Sequence, residues 1–430
     1  MFTFTEQVYN SNLPIKYVLE EGNHNKDHLL VVFSGFHNET NSYRYNYIKT
    51  LRNFDCNKLF ILDNYGPRGS YYLGNEMNYE VETSVQSLIS FMASKLNISP
   101  SNIISAGTSK GGSAALYYGM KYNYGHVITG APQTKIADYI RKFAKETADY
   151  ILGIDPTSYE VSYINNLIFK QMDKDHLPSI SLLSSTNDIQ YKHHIVPLMN
   201  SFDDLGKKID LTIDDTIMSH NEIAVSFPAY LLKKVMGIIH GLDINDVSVQ
   251  TVSNTLKVRA DINVSDSTNM ATSLVIAGSE GNYFEAPFRQ DLTMDMKDLK
   301  NIGTGKPEVV SMELHFFKGQ EVISKYPLEK IIAGGGIVFK GTKFEIQNGE
   351  IHFEIDIEDS SELEFAYYIR KDNKVIDRIK YQSSKKFNYL INDTGKYQIH
   401  YFISTNDGEK LSNRTEEIEV ERVNTALVGV

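Results

Sequence analysis

The sequence predicts an α/β fold with a largely parallel sheet in its first half and two β-sandwich modules in its second, and three observations lead there. Strand-like apolar runs at 16–19, 29–33, 59–62, 103–106, 127–129, 180–184 and 209–213 alternate with helical patterns as far as about residue 241. Gly107-Thr108-Ser109-Lys110-Gly111 reads G-x-S-x-G between the strand-like Ile103-Ile104-Ser105-Ala106 and a helix-like stretch over 112–120. Past Gly241 the helical spacing gives way to short alternating strands separated by Gly, Asn and Asp turns.

Taken in order, the run 29–33 is followed by Ser34-Gly35-Phe36-His37, a flexible loop with amides to offer at a strand end. Val81, Val85, Leu88, Ile89, Met92 and Leu96 recur at helical spacing and mark a core-facing stripe. The G-x-S-x-G stretch has the makings of a nucleophile elbow: a strand, a turn too tight for bulky flanks, and a helix whose N-terminus faces the reacting group. A plain Gly/Ser turn capping a helix has the same local appearance, so the partners decide. Residues 133–178 form a long, mostly helical insertion where a cap over a site is expected. Tyr150, Tyr159 and Tyr163 there, with Tyr65 and Tyr72 earlier, offer sugar-stacking faces or ordinary packing.

The partners appear in chain order. Asp188 follows the strand 180–184, and His220 follows the strand 209–213 and opens a helical stretch through Phe227, Leu231, Val235 and Ile239. Ser, then Asp, then His, each just past a strand, is the order of an α/β-hydrolase triad. A serine hydroxyl is a poor nucleophile at neutral pH, so His220 is expected to accept the Ser109 proton while Asp188 fixes the imidazole tautomer. The oxyanion is expected to meet the Lys110 amide and an amide of the 34–37 loop, Phe36 first and Gly35 next. The Lys110 side chain is read either as positive potential at the site mouth or as a solvated lysine at a helix start. His37, His193 and His194 are the other candidates for the base, and His193-His194 read as a helix start near the site rather than a metal pair.

The expected organisation is a catalytic α/β-hydrolase domain over 1–241 with its cap-like insertion at 133–178, a β-sandwich over 242–333, and an Ig-like sandwich over 334–430. Ala333-Gly334-Gly335-Gly336 divides the two modules, and Asp393-Thr394-Gly395-Lys396-Tyr397 reads as a tyrosine corner.

The chain of 430 residues has a formal net charge of −11 and no concentrated Lys/Arg face, which argues against nucleic-acid binding. Cys56 is its only cysteine, so no internal disulfide or cysteine metal cluster can form. The N-terminal Met1-Phe2-Thr3-Phe4-Thr5-Glu6 lacks a basic region and an apolar core, and no bilayer-spanning stretch is predicted. A cytoplasmic protein is expected, with peripheral membrane association left open and no bound cofactor or metal.

With these residues in view, the Val31-Val32-Phe33-Ser34-Gly35-Phe36 strand and loop, the Gly107-Thr108-Ser109-Lys110-Gly111-Gly112 elbow and Ser219-His220 resemble an α/β-hydrolase core. That core is shared by the acetyltransferase-type protein of the accessory Sec system and by capsular polysaccharide biosynthesis proteins. The module around Asp393 to Tyr397 is similar to the "three-Y" modules of bacterial surface-sensing proteins. The first resemblance runs from the N-terminus to about Gly241, whereas this chain carries its sandwiches after that core. It implies O-acetylation of sugars in capsule or secreted glycoproteins, with acetyl-CoA as an acyl donor and a glycan or glycoprotein as acceptor. The alternatives are a carbohydrate esterase or deacetylase, and a non-catalytic glycan- or protein-binding scaffold.

Overall fold

The computed structural model describes residues 4–37, 39–252, 255–264, 270–278, 283–299, 302, 306–358, 362–372, 374–406 and 408–421; Met1 to Thr3 of the N-terminal stretch lie outside them. The chain divides into two compact units, Met1–Gly241 and Leu242–Val430.

The first unit holds strands β1 (Gln7–Asn10), β2 (Pro14–Glu20), β3 (Leu29–Phe33), β4 (Asn57–Ile61), β5 (Ile103–Thr108), β6 (His126–Gly130), β7 (Ser179–Ser184) and β8 (Asp210–Ile213). Its helices are α1 (Ile48–Leu51), α2 (Glu80–Lys95), α3 (Lys110–Lys121), α4 (Ile136–Phe143), α5 (Lys145–Leu152), α6 (Ser158–Asn165), α7 (Val196–Asp204) and α8 (Ile223–His240). The eight strands form one sheet in the order β1-β2-β4-β3-β5-β6-β7-β8. β4, β3, β5, β6, β7 and β8 pair in parallel, while β1 and β2 add an antiparallel edge. This is the α/β-hydrolase sheet that the elbow and strand spacing predict.

Burial follows from that layering. All five residues of β3 and all six of β5 are buried, because helices cover both faces of a parallel sheet and no strand face meets water. The α2 stripe of Val81, Val85, Leu88, Ile89 and Met92 is fully sequestered in the core on one side. The insertion after β6 supplies α4, α5 and α6, and the Glu76 and Met77 amides donate to the Tyr150 and Ile151 carbonyls at 2.8 and 2.9 Å, tying α5 to the loop before α2. The edge strand β1 escapes the sequence reading because Gln7, Val8 and Asn10 are exposed and only Tyr9 turns inward, its hydroxyl 3.0 Å from Ser87 Oγ and its ring against Phe91, while the backbone pairs with β2.

Against expectation, one described helix, His220–His240, is long and apolar enough to cross a bilayer by length and composition. Its Ile223, Phe227, Leu231, Val235 and Met236 are buried, and it packs on β5, β6 and β7. The hydrophobicity that gives it a membrane-like composition is that of a helix covering a sheet.

In the second unit the described strands form antiparallel sheets of three, five, three and five strands in chain order. The Tyr397 hydroxyl donates to the Asp393 carbonyl at 2.8 Å, the contact of a tyrosine corner, and the ring is buried.

Candidate active site

β5 ends at Thr108 and α3 begins at Lys110, so Ser109 alone makes the turn between strand and helix, at φ 54° and ψ −122°. That left-handed backbone is strained for any residue with a Cβ, and the surroundings hold it in place. The Ser109 N–H donates to the Gly130 carbonyl at 2.9 Å, and the Tyr47 hydroxyl bonds Thr108 Oγ1 at 2.7 Å. The two flanking glycines are needed for approach rather than for torsion. A Cβ on Gly107 would meet the Gly111 carbonyl at 2.5 Å, and one on Gly111 would meet the Phe33 carbonyl oxygen at 2.5 Å.

The three predicted triad side chains come together across long stretches of chain. His220 Nε2 lies 2.9 Å from Ser109 Oγ, and His220 Nδ1 lies 2.8 Å from Asp188 Oδ2. Asp188 sits just past β7, 2% exposed, and its other oxygen accepts the Gln190 N–H at 2.9 Å. His220 opens the single turn His220–Glu222 that leads into α8. A neutral imidazole donating from Nδ1 to the carboxylate has Nε2 left to accept the Ser109 proton, so geometry and tautomer agree.

Two donors are candidates to meet a developing oxyanion. Lys110 is the first residue of α3, so its N–H has no intrahelical acceptor. In the 34–37 loop the Gly35 N–H is already taken by Asn46 Oδ1 at 2.9 Å, which removes it as a donor and leaves the Phe36 amide. That loop is anchored by Tyr72, whose hydroxyl accepts the Ser34 N–H at 2.6 Å and donates to the Ile61 carbonyl at 2.7 Å. Tyr72 is therefore a core prop, not a sugar-stacking face. Tyr159, by contrast, stands 67% exposed on α6.

The Lys110 side chain matches neither of its expected roles. It turns into the interior, 1% exposed, and its Nζ pairs with Asp63 Oδ2 at 2.7 Å. Asp63 also accepts from the Ser70 N–H and hydroxyl, at 2.8 and 2.9 Å, and from the Tyr72 N–H at 3.2 Å. Burial pulls the Lys110 ammonium below its ordinary pKa, and Asp63 opposes that shift.

Sequence reasoning missed Gln133. Its buried Nε2 donates to Ser109 Oγ at 2.7 Å and to Gln190 Oε1 at 3.0 Å. Ser109 Oγ thus has a donor in Gln133 and an acceptor in His220. The available signal was position: Gln133 lies three residues beyond β6, and sites in such sheets gather at the carboxyl ends of the strands. His194 is buried beside the site, with its Nδ1 accepting the Lys135 N–H at 3.3 Å, and burial pushes its pKa down to about 4. His193 stays exposed in the turn Tyr191–Ile195 that precedes α7.

Residues 15–147 match a family model described as Accessory Sec system GspB-transporter. The resemblance seen in the motifs therefore holds over a stretch that contains the 34–37 loop, Ser109 and Gln133 and ends before Asp188 and His220. No curated protein sequence matches the chain. Among solved structures, the capsule O-acetyltransferase of Neisseria meningitidis serogroup A aligns at 25% identity and TM-score 0.46, over 53% of this chain and 95% of that one. A form of that enzyme in complex with CoA aligns at 23% identity and TM-score 0.47, over 54% and 94%. The Glycosylation Associate Protein (Gap123) complex from Streptococcus agalactiae aligns at 19% identity and TM-score 0.44, over 54% and 46%.

Proposed function

We propose that this chain is a serine acyltransferase that moves an acyl group, acetyl by preference, from an activated donor to a hydroxyl of a bacterial glycan through an acyl-Ser109 intermediate. The observation that carries the reading is the unbroken hydrogen-bond line from Ser109 Oγ through His220 to Asp188 on a strained strand-to-helix turn. Such strain persists only where the surroundings over-determine it, and it puts a hydroxyl at the head of a helix where anionic charge is favoured.

In the first step His220 Nε2 takes the Ser109 proton as Oγ adds to the donor carbonyl. The oxyanion accepts from the Lys110 and Phe36 amides, and collapse expels the leaving group, which receives the proton from His220. For a thioester such as acetyl-CoA the leaving group is the thiol, and no further co-reactant is needed. In the second step a sugar hydroxyl gives its proton to His220, adds to the acyl-Ser109 carbonyl and leaves as the ester, with Oγ reprotonated by His220. Gln133, donating to Oγ in the resting site, orients the hydroxyl toward His220.

The glycan acceptor is supported by the motif resemblance and by the family-model match over residues 15–147. An esterase would share the first step and resolve the intermediate with water. The test is partition: the protein is given acetyl-CoA and increasing concentrations of bacterial glycans, and acetylated sugar is measured against free acetate. Acetylated sugar rising at the expense of acetate supports transfer. Acetate as the sole product at saturating acceptor, across a broad glycan panel, makes it an esterase.

A further inference from the structure

Beside the triad lies a hollow of about 360 Å³ between α4 and the segment after β7. Lys135, Lys142 and Lys192 line it against a single carboxylate, Asp138. That is a local excess of cations on a chain whose net charge is −11. None of the three lysines has a carboxylate within ion-pair distance among the described residues, and Lys142 Nζ lies instead 5.0 Å from the Phe143 ring centroid. His194, also on the wall, adds no charge near neutral pH because burial lowers its pKa to about 4.

The same hollow has an aromatic and apolar face. Tyr139 and Phe143 stand with ring centroids 5.2 Å apart, Phe143 is 53% exposed, and Ile189, next to the triad Asp188, is 74% exposed. Large apolar side chains open to water beside lysines that have no carboxylate partner suit a ligand that combines a flat ring with phosphates. The inner wall connects to the reacting atoms: Gln190 lines the hollow, and its Oε1 accepts from the Gln133 amide that also donates to Ser109 Oγ.

We propose that this hollow binds the nucleotide end of a coenzyme A thioester, with Lys135, Lys142 and Lys192 meeting its phosphates and Tyr139 and Phe143 its base, so that the thioester arm passes Gln190 to Ser109. The assignment rests on Ser109 being the acyl-accepting nucleophile. Two features favour the donor over a phosphate-bearing acceptor polymer. The aromatic pair matches a single purine, and an activated thioester is what drives ester formation on a sugar.

The test is titration calorimetry of the full-length protein with coenzyme A, in the wild type, in Lys142→Glu/Lys192→Glu, in Lys142→Arg/Lys192→Arg and in Ser109→Ala. Two charge reversals against phosphate are expected to weaken binding at least about ten-fold, while the arginine pair retains it and rising salt weakens the wild type. Ser109→Ala is expected to bind coenzyme A like the wild type, so the result stands apart from whether Ser109 reacts. Failure of the nucleophile reading would show instead as ester turnover that survives Ser109→Ala. No binding to the wild type at millimolar coenzyme A, or equal affinity in the glutamate pair, overturns the proposal. So does a charge reversal that spares coenzyme A and weakens only a phosphodiester-linked oligosaccharide run in parallel, since that assigns the lysines to the acceptor.

Discussion

Lys110 Nζ lies 2.7 Å from Asp63 Oδ2 with both side chains sealed from solvent, one residue after the serine that makes the elbow turn. The pair joins the start of α3 to the segment after β4, and three further donors from Ser70 and Tyr72 complete the carboxylate. Taking two charges out of water is costly, and the full set of hydrogen bonds is what offsets it.

Lys110→Met is expected to destabilise the first unit by about 3–5 kcal/mol, because it leaves a buried carboxylate without its cation. Lys110→Met/Asp63→Leu removes both charges and is expected to recover a large part of that loss. Urea unfolding of the single and double variants measures this; a single variant as stable as the wild type would show that the pair contributes nothing.

Ser109→Ala is expected to lower ester turnover by about four to six orders of magnitude with the fold retained. Ser109→Gly is expected to be equally inactive but more stable than Ser109→Ala by about 1 kcal/mol, since φ 54° strains alanine and suits glycine. Turnover and thermal midpoints of both variants check this, and an alanine variant as stable as the glycine variant would argue against stored strain at the elbow.

Gln133→Met is expected to lower kcat for a small ester by about ten- to a hundred-fold with KM little changed, since it removes a donor to the reacting oxygen and no substrate contact. Steady-state kinetics reads it. A rise in KM alone would make Gln133 a substrate-binding residue instead.

His194 gives a pH dependence of stability. Its folded pKa of about 4 lies below the ordinary 6.5, so as pH falls the unfolded chain binds the proton first. Stability from this group is fully present above about pH 6.5 and is lost between there and about pH 4, by roughly 3 kcal/mol at most. His194→Gln is expected to flatten the fall in thermal midpoint across that window relative to the wild type; parallel curves would contradict it.

The features readable from sequence are the ones carried by contiguous residues. The buried strands announce themselves as apolar runs, the elbow as Gly107 and Gly111 around Ser109, and Asp188 and His220 as polar residues just past strand ends. Lys110 was not readable, because its partner is 47 positions away and nothing local distinguishes a lysine at a helix start from one folded back into the core. Gln133 was hidden for a similar reason: its amide meets Ser109 only once β5 and β6 lie side by side. The occupied Gly35 amide depends on Asn46, a loop residue without a pattern of its own.

If Ser109 carries the acyl group, intact-protein mass spectrometry on an acid-quenched reaction with acetyl-CoA detects it. The expected product is a protein heavier by one acetyl group, with the modification on the peptide containing Ser109, accumulating when no glycan is present and discharged when glycan is added. A fluorophosphonate is expected to label the same peptide, and neither product is expected in Ser109→Ala. Acetyl or fluorophosphonate label on any other residue, or label that persists in Ser109→Ala, would contradict Ser109 as the acyl carrier.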